Sequence, residues 1–144
     1  MSAISEKIRV ALYNKLNVGA VVGSGKATGV YHLTAPEGAA LPYVVFSRVA
    51  PGTVKRPVLG GLVLEDDLWQ ISVFADEDSH ASKEPQQIAQ EILLACETAI
   101  NETLTITGNT VEYVKRVSDI PSMTSLQNGR YIYHEGFNLR VQTS

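Results

Sequence analysis

The sequence predicts an α+β fold: an antiparallel sheet of mixed strand lengths with two helices packed on one face, in the order α-β-β-α-β-β-β. Three observations carry this expectation. Apolar residues recur at helical spacing in two stretches, Ile4 to Leu16 and Ile88 to Ile100. They alternate with the two-residue period of strands over 43–49, 69–75 and 131–141. Gly108-Asn109 and Asn128-Gly129 are turn signals between strand-like segments.

Each element has its own local cause. In the first segment, Ser2 to Leu16, the residues Ile4, Ile8, Ala11, Leu12 and Leu16 fall three or four apart, which lines one face of a helix. Asn17 and Gly19 suit its end, and the glycines of 19–29 continue as a loop. Pro42 to Val49 is β-branched and aromatic and predicts a strand. Residues 50–61, with two prolines and three glycines, interrupt regular pairing and predict a protruding loop or hairpin arm with Lys55 and Arg56 at a basic tip. A second strand runs from Leu62 to Ala75, its apolar alternation interrupted by Glu65, Asp66 and Asp67.

The second helix lies between Ser79 and Asn101. Ile88, Ile92, Leu93, Ala95, Cys96, Ala99 and Ile100 make its apolar stripe, Asp78, Ser79 or Ser82 are candidate caps, and Pro85 suits a first turn. Leu104 and Ile106, then Val111, Tyr113 and Val117 across Gly108-Asn109, predict a hairpin whose second strand ends at Ile120-Pro121. Arg130 to Gln142 predicts a long final strand.

At 144 residues the chain fits one domain, residues 1–144, with a core of its own. An apolar fraction of 44% and a charged fraction of 19% are those of a folded protein and exclude a disordered one. A net charge of −3 disfavours a role in sheathing nucleic-acid phosphates. One cysteine cannot form an internal disulfide, and the absence of a charged-then-apolar leader leads us to expect an intracellular protein. The apolar runs are far shorter than the roughly 20 residues that span a bilayer. Charge is unevenly placed: residues 1–60 hold seven basic and two acidic residues, 61–102 hold one and ten, and 103–144 hold four and three. Such blocks are solvated surface in the simplest case, and can also give a folded subunit one positive and one negative face.

Motifs that would carry chemistry fail in their details. The segment 19–28 evokes a phosphate loop through Gly23, Gly25 and Lys26, but Ala20 stands where the first glycine belongs, Ala27 follows the lysine, and a helix precedes it. Asp76, Glu77, Asp78 and His80 could offer hard ligands to a divalent ion, yet Ala81 and Gln87 break the calcium-loop pattern, and acids before a helix are favoured by its dipole alone. Cys96 falls on an apolar stripe with no activating neighbour in sequence. His32 and His134 lack metal-ligand spacing, His134 and Glu135 should point to opposite faces of a strand, and no serine lies in a nucleophile elbow. We expect no catalytic residue, no cofactor and no metal.

Ala35-Pro36-Glu37-Gly38 followed by Leu41-Pro42-Tyr43-Val44-Val45-Phe46 is similar to the turn and first strand of tail terminator (tail completion) proteins of long-tailed bacteriophages. Trp69 to Ala75 with the following helix at Ile88-Ala89 and Ile92-Leu93 resembles the second strand and second helix of that family, and Tyr131 to Val141 resembles its terminal strand. The resemblance implies a virion protein that is not an enzyme: a ring, commonly a hexamer, on the head-proximal end of the tail tube. There it would end tube polymerisation, present the surface for capsid joining, and let DNA pass through its channel without specific binding. Its implied partners are further copies of itself, the tail tube protein and the head–tail connector or neck protein, and its place is the tail–head junction of the virion, after synthesis in the host bacterial cytoplasm.

A ring needs two unlike surfaces that repeat by rotation, and the charge blocks offer them. The expected interface sets Lys55 and Arg56 of one copy against Glu65, Asp66 and Asp67, or Asp76 and Asp78, of the next. The same acids could instead line the channel and keep DNA from adhering to its wall. A head-closure or neck protein is the nearest alternative. A small-metabolite enzyme is a more distant one, resting on fold-level analogy.

Overall fold

The computed structural model describes residues 3–55, 64–80, 82–106, 108–127 and 129–143. Seven elements follow one another: α1 (Ala3–Leu16), β1 (Val30–His32), β2 (Tyr43–Lys55), β3 (Leu64–Ala75), α2 (Pro85–Ile100), β4 (Val111–Gln127) and β5 (Arg130–Thr143). The strands form one five-stranded sheet in the order β1-β2-β3-β5-β4. Both helices lie over the same face, so the class is α+β as expected.

Strand parity decides what faces the helices. Along β3, Trp69, Ile71, Val73 and Ala75 are fully buried, and their partners across the ladder continue the layer: Phe46 opposite Ile71, Leu139 opposite Trp69, Phe137 opposite Ile71. Ile8, Leu12 and Leu16 of α1 recur at a spacing of four and bury together, while Tyr13 on the other side of that helix is exposed. Ile88, Ile92, Cys96 and Ile100 of α2 complete the core. Pro85 opens α2 where its missing N–H costs no hydrogen bond. Asn101 ends it in the left-handed conformation, its N–H donating to the Glu97 carbonyl at 2.9 Å.

The order differs from the expected one in two places. First, a short strand, β1, lies in a segment with no strand prediction and runs parallel to β2, Val30 opposite Val44, so the sheet is mixed. Three residues are too few to display alternation. The glycine loop before it is closed by a bridge between Val22 and Ala27, and Val21 and Ala27 are buried. Second, Leu104 and Ile106 form no strand. Their side chains are buried in the core, Ile106 beside Val10 and Ala11 of α1, and Gly108, at φ +84°, makes the turn into β4.

β4 then continues through Ile120-Pro121 to Gln127 instead of ending there. It is an edge strand, where a residue without an N–H is tolerated, and a register shift between Ile120 and Met123 absorbs the proline. In the same way β2 runs past Pro51 and Gly52 to Lys55, with register shifts between Arg48 and Thr53. None of the expected caps starts α2. Its N-cap is Glu84, with no side-chain cap bond, because Pro85 fixes the first turn. Asp76 and Asp78 therefore lie in a turn well ahead of the helix, away from its dipole.

Candidate assembly interface

Strand register sets two hairpin arms at opposite ends of the sheet. β2 and β3 pair as far as Lys55 opposite Leu64, at the end where Glu65 faces Thr143. β4 and β5 pair as far as Gln127 opposite Arg130, at the end where Ala75 faces Tyr133. Among the described residues no third strand pairs with the second arm beyond Ala75, and residues 121–126 of its edge strand are exposed.

The residues expected at an interface fall into distinct settings. Arg56 lies outside the described residues, and Lys55 and Glu65 are placed by strand register alone. Asp67 turns inward with Trp69. Its Oδ2 accepts from Ser5 Oγ at 2.9 Å and its Oδ1 from Arg48 Nη2 at 3.2 Å, which ties α1 to β2 and β3. Asp66 points to the other face, where its Oδ1 lies 3.5 Å from Arg140 Nε. Asp76 is buried and organises a turn: its Oδ1 accepts from the Asp78 N–H at 3.1 Å and Ser79 Oγ at 3.0 Å, and its own N–H donates to Ser79 Oγ. Arg130 reaches back from the tip of the β4–β5 arm, where it pairs with Gln127, donating to Asp76 Oδ2 at 3.1 Å and pairing with Asp78. Of these acids, Asp78 has an exposed carboxylate, 67% accessible, and Asp67 and Asp76 serve the interior of their own chain.

A cleft of about 600 Å³ lies beside that arm. One wall is the helix-side face of the hairpin, with Thr124 opposite Tyr133 and, two rungs outward on the same face, Tyr131, whose partner Leu126 lies just outside the cleft. The opposite wall is the 77–86 segment leading into α2, including Glu77, His80, Lys83 and Glu84. The Tyr133 hydroxyl donates to Glu135 Oε2 at 2.8 Å, and burial followed by this bond pushes its pKa up. Lys83 pairs with Glu91 at 2.8 Å. Glu77 and Glu84 are exposed. Tyr131, in the cleft wall, and its partner Leu126 are 60% and 62% exposed, high for large side chains of this type.

The remaining candidates hold structural positions. Lys26 Nζ donates to the Gly19 carbonyl at 2.7 Å, so the glycine loop folds onto its own lysine. Cys96 is buried, which pushes its thiol up to about 12. His134 stacks on Phe74 with 5.0 Å between ring centroids, on the face opposite Glu135, in keeping with strand alternation. Among the described residues, no three His, Cys, Asp or Glu side chains gather as metal ligands would. Among the described residues, no helix is long and apolar enough to cross a membrane.

With this geometry the chain aligns over 99% of its length with 98% of a chain in the virion of a native gene transfer agent particle, at a TM-score of 0.68 and 17% identity. The two chains share a fold. A second solved chain aligns over 97% of this one and 96% of its own length, at a TM-score of 0.59 and 15% identity. No family model matches the sequence, and no curated protein matches it.

Sequence reasoning missed the cleft. Its walls come from residues 77–86 and 124–133, which only the pairing of Ala75 with Tyr133 brings together. The available signal was the apolar and aromatic content flanking Asn128-Gly129, where Leu126 and Tyr131 bracket a turn at positions that must pair.

Proposed function

We propose that this chain is a structural protein of a phage or phage-like virion, a tail terminator that closes into a ring, six copies in the usual case, on the head-proximal end of the tail tube. The observation that carries this reading is the end-to-end fold likeness to a chain of a gene transfer agent virion. Two further features support it. The terminator-like segments at 35–46, 69–75 and 131–141 lie in the turn before β2, in β2 itself, and in the two central strands β3 and β5. Unlike arms at opposite ends of one sheet suit a contact that repeats by rotation.

In this role the ring stops addition of tube subunits, offers its far side to the head–tail connector, and surrounds a channel through which DNA passes unbound. Lys55 and Arg56 face the acidic surface of the next copy. Among the interface acids whose side chains are described, Asp78 has the most exposed carboxylate and pairs with Arg130 of its own chain, while Asp66 stays near Arg140. The chain performs no catalysis.

Absolute mass by light scattering across concentration, followed by electron microscopy of the largest species, tests the reading. Closed rings with a central hole, which bind one end of purified tail tubes and block further growth, are the expected result. Rings that bind the portal end of filled heads and ignore tubes would indicate a neck protein. A strict monomer at every concentration would overturn the ring.

A further inference from the structure

We propose that the cleft between the β4–β5 arm and the lead-in to α2 receives the end of the β2–β3 arm, residues 50–63, of a second copy of this chain: the last strand residues as far as Lys55 and the loop that joins them to Leu64. The inference rests on the ring reading and names its contact.

Three observations select this occupant. The first is charge. The acids on the cleft wall, Glu77 and Glu84, are exposed and its lysine, Lys83, is paired with Glu91, while the loop carries Lys55 and Arg56 and no acid between residues 50 and 63. The second is surface type. Tyr131, Tyr133 and Leu126 present aromatic and apolar area beside those acids. Arginine stacks on tyrosine faces, and proline-containing extended segments dock on aromatic grooves. The loop supplies Arg56 directly before Pro57. Val54, Val58 and Leu59 supply apolar side chains for Leu126 and Tyr131.

The third observation is reach. The loop leaves the sheet at the Leu64 end of β3, and the cleft opens beyond Ala75 at the other end. Eleven residue steps at about 3.3 Å separate those ends by roughly 36 Å. Eight residues between Lys55 and Leu64, running out and back, extend no more than about 16 Å from their strands. The loop therefore cannot fill its own cleft, and a neighbour's loop can. Such a contact is heterologous: every copy gives a loop at one end and takes one at the other, which closes into a ring when the rotation permits.

The test uses the full-length chain. Arg56→Cys combined with Gln86→Cys places one thiol on the loop and one on the cleft wall, with Cys96 buried away from both. Under mild oxidation we expect a ladder of disulfide-linked species ending at the ring number, with each single-cysteine variant giving none. In parallel, the pair Lys55→Glu and Arg56→Glu should weaken self-association at least tenfold, and adding Glu77→Lys with Glu84→Lys should restore it, with circular dichroism unchanged throughout. A wild-type ring with no ladder and no response to charge reversal would overturn the cleft contact and leave the ring standing. A chain that stays monomeric to millimolar concentration and gives no ladder would overturn both.

Discussion

Arg130 at the start of β5 donates to the buried carboxylate of Asp76 at 3.1 Å, tying the tip of the β4–β5 arm to the turn that follows β3. The two partners are unequal. Asp76 Oδ1 also holds the Asp78 N–H and Ser79 Oγ, whereas Arg130 is 59% exposed and its charge is largely screened. Removing the carboxylate strands donors in a buried turn, while removing the guanidinium leaves two of the three donors to Asp76 in place. Asp76→Ala should cost about 2–3 kcal/mol and Arg130→Ala about 1 kcal/mol or less in urea unfolding. Equal losses would mean that the ion pair, not the turn, holds this corner.

Some of this corner was legible before any coordinates and some was not. The helix stripes and the alternation in β3 and β5 were, because each is a local period imposed by one buried face. Asp67 shows what parity adds: it shares a face with Trp69 and Ile71, so it must enter the core and find a cation, and Arg48, opposite Trp69, is the one in reach. Read only as an acid in an acidic run, it looks like surface. β1 is too short to carry a period, and Pro121 reads as a strand end unless the strand is known to be an edge. The cleft depends on pairing between residues more than 50 positions apart, which composition does not encode.

His32 provides a pH test of packing between α1 and the sheet. Its ring lies 5.3 Å from Phe46 and 6.2 Å from Trp69, and its Nε2 is buried with no hydrogen-bond partner. Burial, then the nearby Arg9 charge, hold its pKa below the ordinary 6.5, with Glu6 acting weakly in the opposite sense. Below pH 6.5 the unfolded chain therefore takes up a proton that the folded chain refuses, and stability falls as pH falls. Urea midpoints should decline from pH 7 toward pH 5, above the range where Glu6 and Glu91, both lowered from 4.5, begin to matter. His32→Phe should flatten that decline; an unchanged slope would assign it to another group.

Cys96 makes the complementary alkaline prediction. The folded thiol is pushed up to about 12 from an ordinary 9.0. An unfolded chain ionises first, so full stability holds below about pH 9 and is lost as pH rises from there toward 12. A disulfide-exchange reagent should leave the native chain unmodified and label one thiol per chain after denaturation. Rapid labelling of the native chain would show that the α2 stripe opens on the timescale of the assay.

Gly136 tests the closeness of the central strands. It sits on β5 between Ser72 of β3 and Ile120 of β4, and a methyl group there would lie 2.4 Å from the Ile71 carbonyl oxygen, 2.8 Å from Ser72 Oγ and 2.9 Å from Ile120 Cδ1. Ser72 and Ile120 can rotate, but the Ile71 oxygen belongs to the backbone of a central strand and cannot yield without moving β3. Since β3 carries Trp69, Ile71 and Val73 into the core, that movement would loosen the layer beneath both helices. Gly136→Ala should cost about 1–3 kcal/mol, as overpacking of a tight interior does. Gly129→Ala has open space around it and strains only a left-handed turn at φ +76°, so its cost should stay near 1 kcal/mol. If Gly136→Ala unfolds at the wild-type midpoint, the strands are less closely apposed at this point than 2.4 Å implies.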